Sequence, residues 1–198
     1  MAEPAEDLDG RRQRAVRSRE AVVDAMLDLL RETGEQPSAQ TIADRAGVSL
    51  RTVFRLFDDI DTLLSTAVAH QIDRVGPMFG SLEVTGPLDR RIHALVVHRE
   101  RLFEEIAPVR RAALHRTEHS LIREWLDESH GLLRGQLTAL FADELQALPA
   151  RQRKLLVESL NLATGFSAWN ALQVEQGLDA ATARAVVIHT ITRLLEGR

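Results

Sequence analysis

Apolar residues recur every three or four positions along nearly the whole chain, as in Val22, Met26, Leu29 and Leu30, and again in Val186, Val187, Ile191, Leu194 and Leu195. That interval keeps one stripe of an α-helix apolar, and strand-like alternation is nearly absent. Glycine and proline punctuate the runs, at Gly34, Pro37, Gly47, Gly76, Pro77, Gly86, Pro87, Pro108, Pro149 and Gly177. A chain patterned this way buries its stripes only by packing helix on helix, so the expected fold class is all-α. The spacing predicts helices near residues 16–33, 38–46, 50–57, 60–75, 88–106, 108–117, 119–146, 150–176 and 179–196. Short segments lead and long ones follow, parted by the connector "GPMFGSLEVTGP" from Gly76 to Pro87. The expected organisation is a flexible acidic and basic tail over 1–15, a small three-helix module over 16–60, and a larger helical bundle over 61–198.

Composition narrows the function classes. With 198 residues, 44% hydrophobic and 27% charged, the chain has an ordinary globular balance and should fold. No stretch approaches the ~20 apolar residues of a membrane helix, and the first twenty residues lack a signal-peptide core. The expected location is cytoplasmic. The lack of cysteine rules out disulfides, thiolate nucleophiles and cysteine-based zinc sites. A net charge of −4 supplies no bulk attraction to nucleic acid, so any such contact needs a local basic surface. Lys154 is the only lysine among 25 basic residues, which suits phosphate and guanine recognition but reads better as coding bias. The opening "AEPAEDLDG" reads as a disordered tail, and "RRQRAVRSR", with arginines at 11, 12, 14, 17 and 19, reads either as a solvated arm or as one that reaches phosphates or a minor groove.

The segment 38–57 has helix-turn-helix chemistry. Ser38 and Ser49 are N-cap residues, each able to accept an orphan amide at a helix start, and Gly47 permits the turn between the two helices. Ile42, Ala43, Ala46, Val48, Val53 and Phe57 would close a small core, with Ala43 and Gly47 letting the helices approach closely. Residues four apart share a helical face, so Val53 and Phe57 point inward while Arg51 and Arg55, with Thr52 beside them, point outward. A guanidinium there can donate to guanine O6 and N7, and Leu50 and Phe54 can either touch thymine methyl groups or complete the local core. Asp59 and Asp61 complement the positive end of the next helix, with Asp59 as its N-cap.

"PSAQTIADRAGVSLRTVFRLFDDIDTLLSTAV", Pro37 to Val68, resembles the DNA-binding domain of the TetR family of one-component transcriptional regulators. The resemblance joins "IADRAGVS" across the turn, an aromatic and a terminal Phe in the recognition helix, and a following helix with two leucines. "TGFSAWNALQVEQGL", Thr164 to Leu178, is similar to the penultimate helix of many members. The resemblance implies a DNA-binding module over 16–60, an effector pocket within the helices near 88–146, and a homodimer formed by the last two helices. Its members act as ligand-responsive repressors on pseudo-palindromic double-stranded operators, so a small-molecule effector is implied and no cofactor. The DNA-binding residues implied are Arg17, Ser38, Ser49, Leu50, Arg51, Thr52, Phe54 and Arg55. Two positions depart from the family: Phe54 stands where a phosphate-binding Tyr is usual, and Ile60 where a Lys is frequent. The phosphate clamp must then come from Ser38, Thr52, Arg51, Arg55 and the arginines at 17 and 19.

In the bundle, Leu156, Leu160, Ala163, Phe166, Ala168 and Trp169 occupy more than one face, as a helix does that meets both a core and a partner subunit. Phe103, Trp125, Leu133, Asn161 and Phe166 combine large apolar surfaces with one amide, the mix of a ligand cavity; the alternative makes the four apolar residues core and Asn161 a helix-to-helix hydrogen-bonder. "HRTEH", His115 to His119, matches the H-x-x-E-H string in which two histidines bind zinc and a glutamate serves as base. Three readings of His115, Glu118 and His119 stand: a metal-dependent enzyme, a metal sensor, or polar residues of a bundle helix. A third ligand is missing from the string and Arg116 puts positive charge where a dication would sit. No nucleophile elbow, phosphate loop or dinucleotide fingerprint occurs, so the chain is expected not to be an enzyme.

Overall fold

A computed structural model describes residues 5–80, 82–114 and 120–197. The described residues form ten α-helices: α1 (Ala5–Thr33), α2 (Ala39–Ala46), α3 (Leu50–Leu56), α4 (Ile60–Val75), α5 (Leu88–Leu114), α6 (Ser120–Leu140), α7 (Ala142–Gln146), α8 (Ala150–Ala163), α9 (Phe166–Asn170) and α10 (Ala180–Glu196). A 3-10 turn over Gly76–Phe79 follows α4, and a π-helical turn over Ala171–Glu175 follows α9. The all-α fold is as expected from the periodicity.

Two compact units emerge. The first holds α1 to α4 as far as Arg74, together with α5 from Ala107 onward. Here α1 packs on α2 and α2 on α3. Val22, Met26 and Leu30 of α1, Ile42 and Ala43 of α2, Val53, Phe57, and Leu63 and Leu64 of α4 are buried. The Arg45 guanidinium pairs with the Glu32 carboxylate through two bonds of 2.7 and 2.8 Å, fastening α2 to the end of α1. That hydrogen bonding holds the Glu32 carboxyl below its usual value.

The second unit runs from Val75 to Ile106 and from Glu124, within α6, to the end of the chain. Its core joins Ile92, Leu95 and Val96 of α5, Leu137 and Leu140 of α6, Phe141, Leu145, Leu156 and Leu160 of α8, and Ile191 and Leu195 of α10. Arg91 grips the α6–α7 junction, donating to the Leu140 carbonyl at 2.7 Å and pairing with Glu144 at 2.5 Å. The His98 Nε2–H donates to the Met78 carbonyl at 2.7 Å, and Gln136 donates to the Gly80 carbonyl, so the connector after α4 is pinned to α5 and α6.

Four boundaries differ from the sequence expectation. The tail expected to be flexible over 1–15 is helical from Ala5. Between Ala5 and Ala15 the chain has one glycine and no proline, and acids precede arginines in the order that suits a helix dipole. The break expected before Pro108 is absent, and α5 continues to Leu114. Proline removes one helical hydrogen bond, but Ile106, Ala107 and Val109 are buried around it, and that packing keeps the helix whole. The expected helix 119–146 is interrupted at Phe141, whose fully buried ring turns the chain into α7. The expected helix 150–176 breaks at Thr164 and Gly165: Gly165 adopts an extended backbone, and the Thr164 hydroxyl folds back on the Leu160 carbonyl at 2.7 Å.

Candidate nucleic-acid interface and ligand cavity

Two serines and a glycine build the turn that presents α3. Ser38 Oγ accepts the Thr41 amide at 3.1 Å, and Ser49 Oγ accepts the Thr52 amide at 3.1 Å, so both helices start on a side-chain cap. Gly47 sits at φ 67°, ψ 30°, a left-handed conformation that closes α2, with the Val48 amide donating to the Ala43 carbonyl at 3.0 Å. A Cβ at Gly47 would meet nothing within 4 Å, so the turn needs glycine for its backbone angle and not, as expected, for close helix approach.

One side of α3 is sunk and the other is open. Val53 and the following Phe57 are buried, whereas Arg51 and Arg55 are exposed, Leu50 is 37% exposed and Phe54 46%. Exposure on that scale takes Phe54 out of the local core, the alternative the sequence had left open. Thr52 is half-buried, its hydroxyl 2.8 Å from that of Ser49. Asp59 Oδ1 accepts the Thr62 amide at 2.6 Å, as expected of the cap of α4.

The arginines of α1 divide into two groups. Arg12, Arg14 and Arg17 are exposed, and Arg12 and Arg17 flank a shallow cleft with Gln13 and Val16. Arg19 instead donates to the Leu56 carbonyl at 2.7 Å and lies 4.3 Å over the Phe57 ring. It caps the end of α3 and is engaged there rather than offered as a phosphate contact.

In the second unit, α5, the α8–α9 break, the π-helical turn and α10 enclose a cavity of about 30 Å³. Phe103, Trp169 and Gly165 line it along with Arg99, Glu100 and Arg184. Phe103 meets Phe166 edge to face, centroids 5.7 Å apart, and Trp169 lies 5.9 Å from Phe103 and 5.6 Å from Phe166. Glu100 accepts from Arg184 at 2.7 Å.

Of the five residues expected to bind ligand, Phe103 lines this cavity, and Phe166 packs edge to face on Phe103 without lining it. The other three lie elsewhere. Trp125 packs edge to face on Phe79 at 6.2 Å, Leu133 is buried in α6, and half-buried Asn161 does not line the space. Sequence reasoning missed Arg99, Glu100, Trp169 and Arg184. For Arg99 a signal existed: Leu95, Val96, Arg99, Leu102, Phe103 and Ile106 share one helical face, so Arg99 sits at a core position. His115, Glu118 and His119 lie outside the described residues. Among the described residues no group of three His, Asp or Glu side chains is placed to hold a metal ion, and no helix is long and apolar enough to cross a membrane.

No protein-family model matches the chain, and no curated protein matches its sequence. Solved structures do. A transcriptional regulator from Rhodococcus sp. Rha1 superposes with a TM-score of 0.68 at 18% identity, over 90% of this chain and 96% of that one. A TetR-family transcriptional regulator from Streptomyces coelicolor superposes with a TM-score of 0.67 at 19% identity, over 89% of this chain and 79% of that one. The chain has the fold of these regulators, a helix-turn-helix module followed by a helical bundle, as the resemblance in its sequence implied.

Proposed function

We propose that the chain is a DNA-binding transcriptional regulator of the TetR type, a homodimeric, ligand-responsive repressor acting on a pseudo-palindromic operator. The observation that carries this reading is the open face of α3: Leu50, Arg51, Phe54 and Arg55 are exposed on a helix whose other side is anchored by Val53 and Phe57. Arg51 and Arg55 read guanine edges, Leu50 and Phe54 touch thymine methyl groups, and Ser38, Ser49, Thr52 and Arg17 hold phosphates. Without a tyrosine at 54 or a lysine at 60, the exposed arginines of α1 carry part of the phosphate affinity.

Dimerisation is supported by an apolar face that the monomer leaves open. Leu155 and Leu162 on α8 are 60% and 74% exposed, and Val186 on α10 is 40% exposed. Leu155 and Leu162 lie seven residues apart, on one stripe, beside the helix that carries Val186. A two-fold axis through such a face pairs two recognition helices with half-sites one helical turn apart.

The effector acts by preferring a conformer that does not fit the operator. α5 gives that preference a route, since Arg99, Glu100 and Phe103 line the cavity and its last turns belong to the unit that bears α3. Selection of bound fragments from the source genome tests the reading. The expected outcome is enrichment of an inverted-repeat site bound in a salt-dependent manner; uniform recovery of all sequences would refute it.

A further inference from the structure

The cavity in the second unit holds one positive charge more than it neutralises. Glu100 and Arg184 pair with each other, and Arg99 remains. Arg99 is only 3% exposed. Its Nη2 donates to the Leu133 carbonyl at 2.8 Å, while its Nε and Nη1, both shielded from solvent, donate to nothing among the described residues. A buried guanidinium without a counter-charge is costly, and burial pulls this one well below the usual guanidinium value, to about 9. Buried donors left open beside an aromatic-lined space are the complement of a ligand that brings an acceptor and an apolar body.

We propose that this cavity binds a small organic monoacid, its carboxylate on the free Nε and Nη1 donors of Arg99 and its apolar body against Phe103 and Trp169. The charge count selects the class. A monoanion cancels the single unpaired cation, whereas a dianionic phosphate would leave a buried negative charge beside Glu100. The size selects the mode. About 30 Å³ admits a carboxylate-sized group, so the body takes its room from the wall formed by α9. That wall is five residues between two irregular turns, the extended Gly165 and the π-helical stretch Ala171–Glu175. A Cβ at Gly165 would come within 3.0 Å of the Asn161 carbonyl, so this backbone course depends on glycine. The proposal rests on the reading of the second unit as an effector-binding domain and specifies its ligand.

Full-length protein carrying Trp125→Phe leaves Trp169 as the only tryptophan, and its emission reports the cavity. Benzoate, phenylacetate and hexanoate are titrated against benzamide, phenylacetamide and hexanamide, with calorimetry on the unsubstituted protein as a second readout. At least one acid is expected to bind saturably, raise Tm, and outbind its amide at least tenfold. Arg99→Met should abolish that preference while leaving the Tm of the ligand-free protein equal or higher, and Arg99→Lys should retain part of it. Three results would overturn the proposal: acids and amides indistinguishable, unchanged acid binding by Arg99→Met, or a large loss of Tm in Arg99→Met that marks Arg99 as a structural cation. None of these readouts involves DNA. An acid-binding protein that ignores DNA would refute the regulator reading alone, and operator binding without acid preference would refute the anion site alone.

Discussion

At the residue scale, Arg51 and Arg55 divide the labour of α3 with Val53 and Phe57. If each arginine reads a guanine, Arg51→Ala and Arg55→Ala each weaken operator binding by about 1–3 kcal/mol and relax the preference at one base pair, as titration against single-base operator variants would reveal. An equal loss on every sequence would make them phosphate contacts. Phe54 was ambiguous from sequence because a small module needs every large apolar side chain for its core, and its exposure decides against that use. Arg99 escaped sequence reasoning for the opposite reason. Charged residues on a helix are assigned to solvent by default, and only the core register of Arg99 argued otherwise. Asp179 offers a residue-level pH test. Its carboxylate accepts the Thr182 amide at 2.9 Å and the Thr182 hydroxyl at 2.7 Å, and those bonds lower its pKa from 3.8. A carboxylate depressed in the folded state contributes stability above its unfolded value and loses it as pH falls through the folded one. Denaturant titrations should therefore show Asp179→Asn flattening the acid limb of the stability curve.

At the scale of elements, the α2–α3 pair was legible almost residue for residue, since serine caps and a left-handed glycine act within a few positions of where they stand. Ser49→Ala should cost about 1 kcal/mol of stability in denaturant melts and weaken operator binding, because the same hydroxyl sets the start of α3. The longer helices were misjudged where tertiary packing overrules local preference, as at Pro108 and Phe141. The Thr164–Gly165 break was hidden because one glycine in an apolar run reads equally as a tolerated helical residue. The start of α1 was hidden too, because an acid-rich stretch followed by arginines reads as a tail or as a helix with matched ends. Deleting residues 1–16 removes exposed arginines of α1 while keeping Arg17, the Arg19 clasp on Leu56 and the buried Val22. The truncated protein should fold, bind DNA more weakly, and show a salt slope reduced by up to about 3; an unchanged affinity would show that this arm contacts nothing.

For the whole molecule, fold class and the two-part organisation followed from periodicity and the placement of glycine and proline, while the cavity did not. Its lining comes from three separated stretches, α5, residues 163–173 and α10, and no local pattern announces which faces converge. The same holds for the face proposed to join two subunits. Leu155 and Leu162 are apolar at helical spacing like any core pair, and only their exposure distinguishes them. Replacing both with glutamate should convert a dimer to a monomer in analytical ultracentrifugation without lowering Tm much, since neither side chain is buried in the single chain. That monomer should lose cooperative operator binding. The most direct test of the account is fluorescence anisotropy on the selected operator, comparing the native chain with an Arg51→Ala, Arg55→Ala double variant at several salt concentrations. The native protein is expected to bind with nanomolar, salt-sensitive affinity, and the variant to bind without distinguishing the operator from scrambled DNA. Equal discrimination by both proteins would contradict the account.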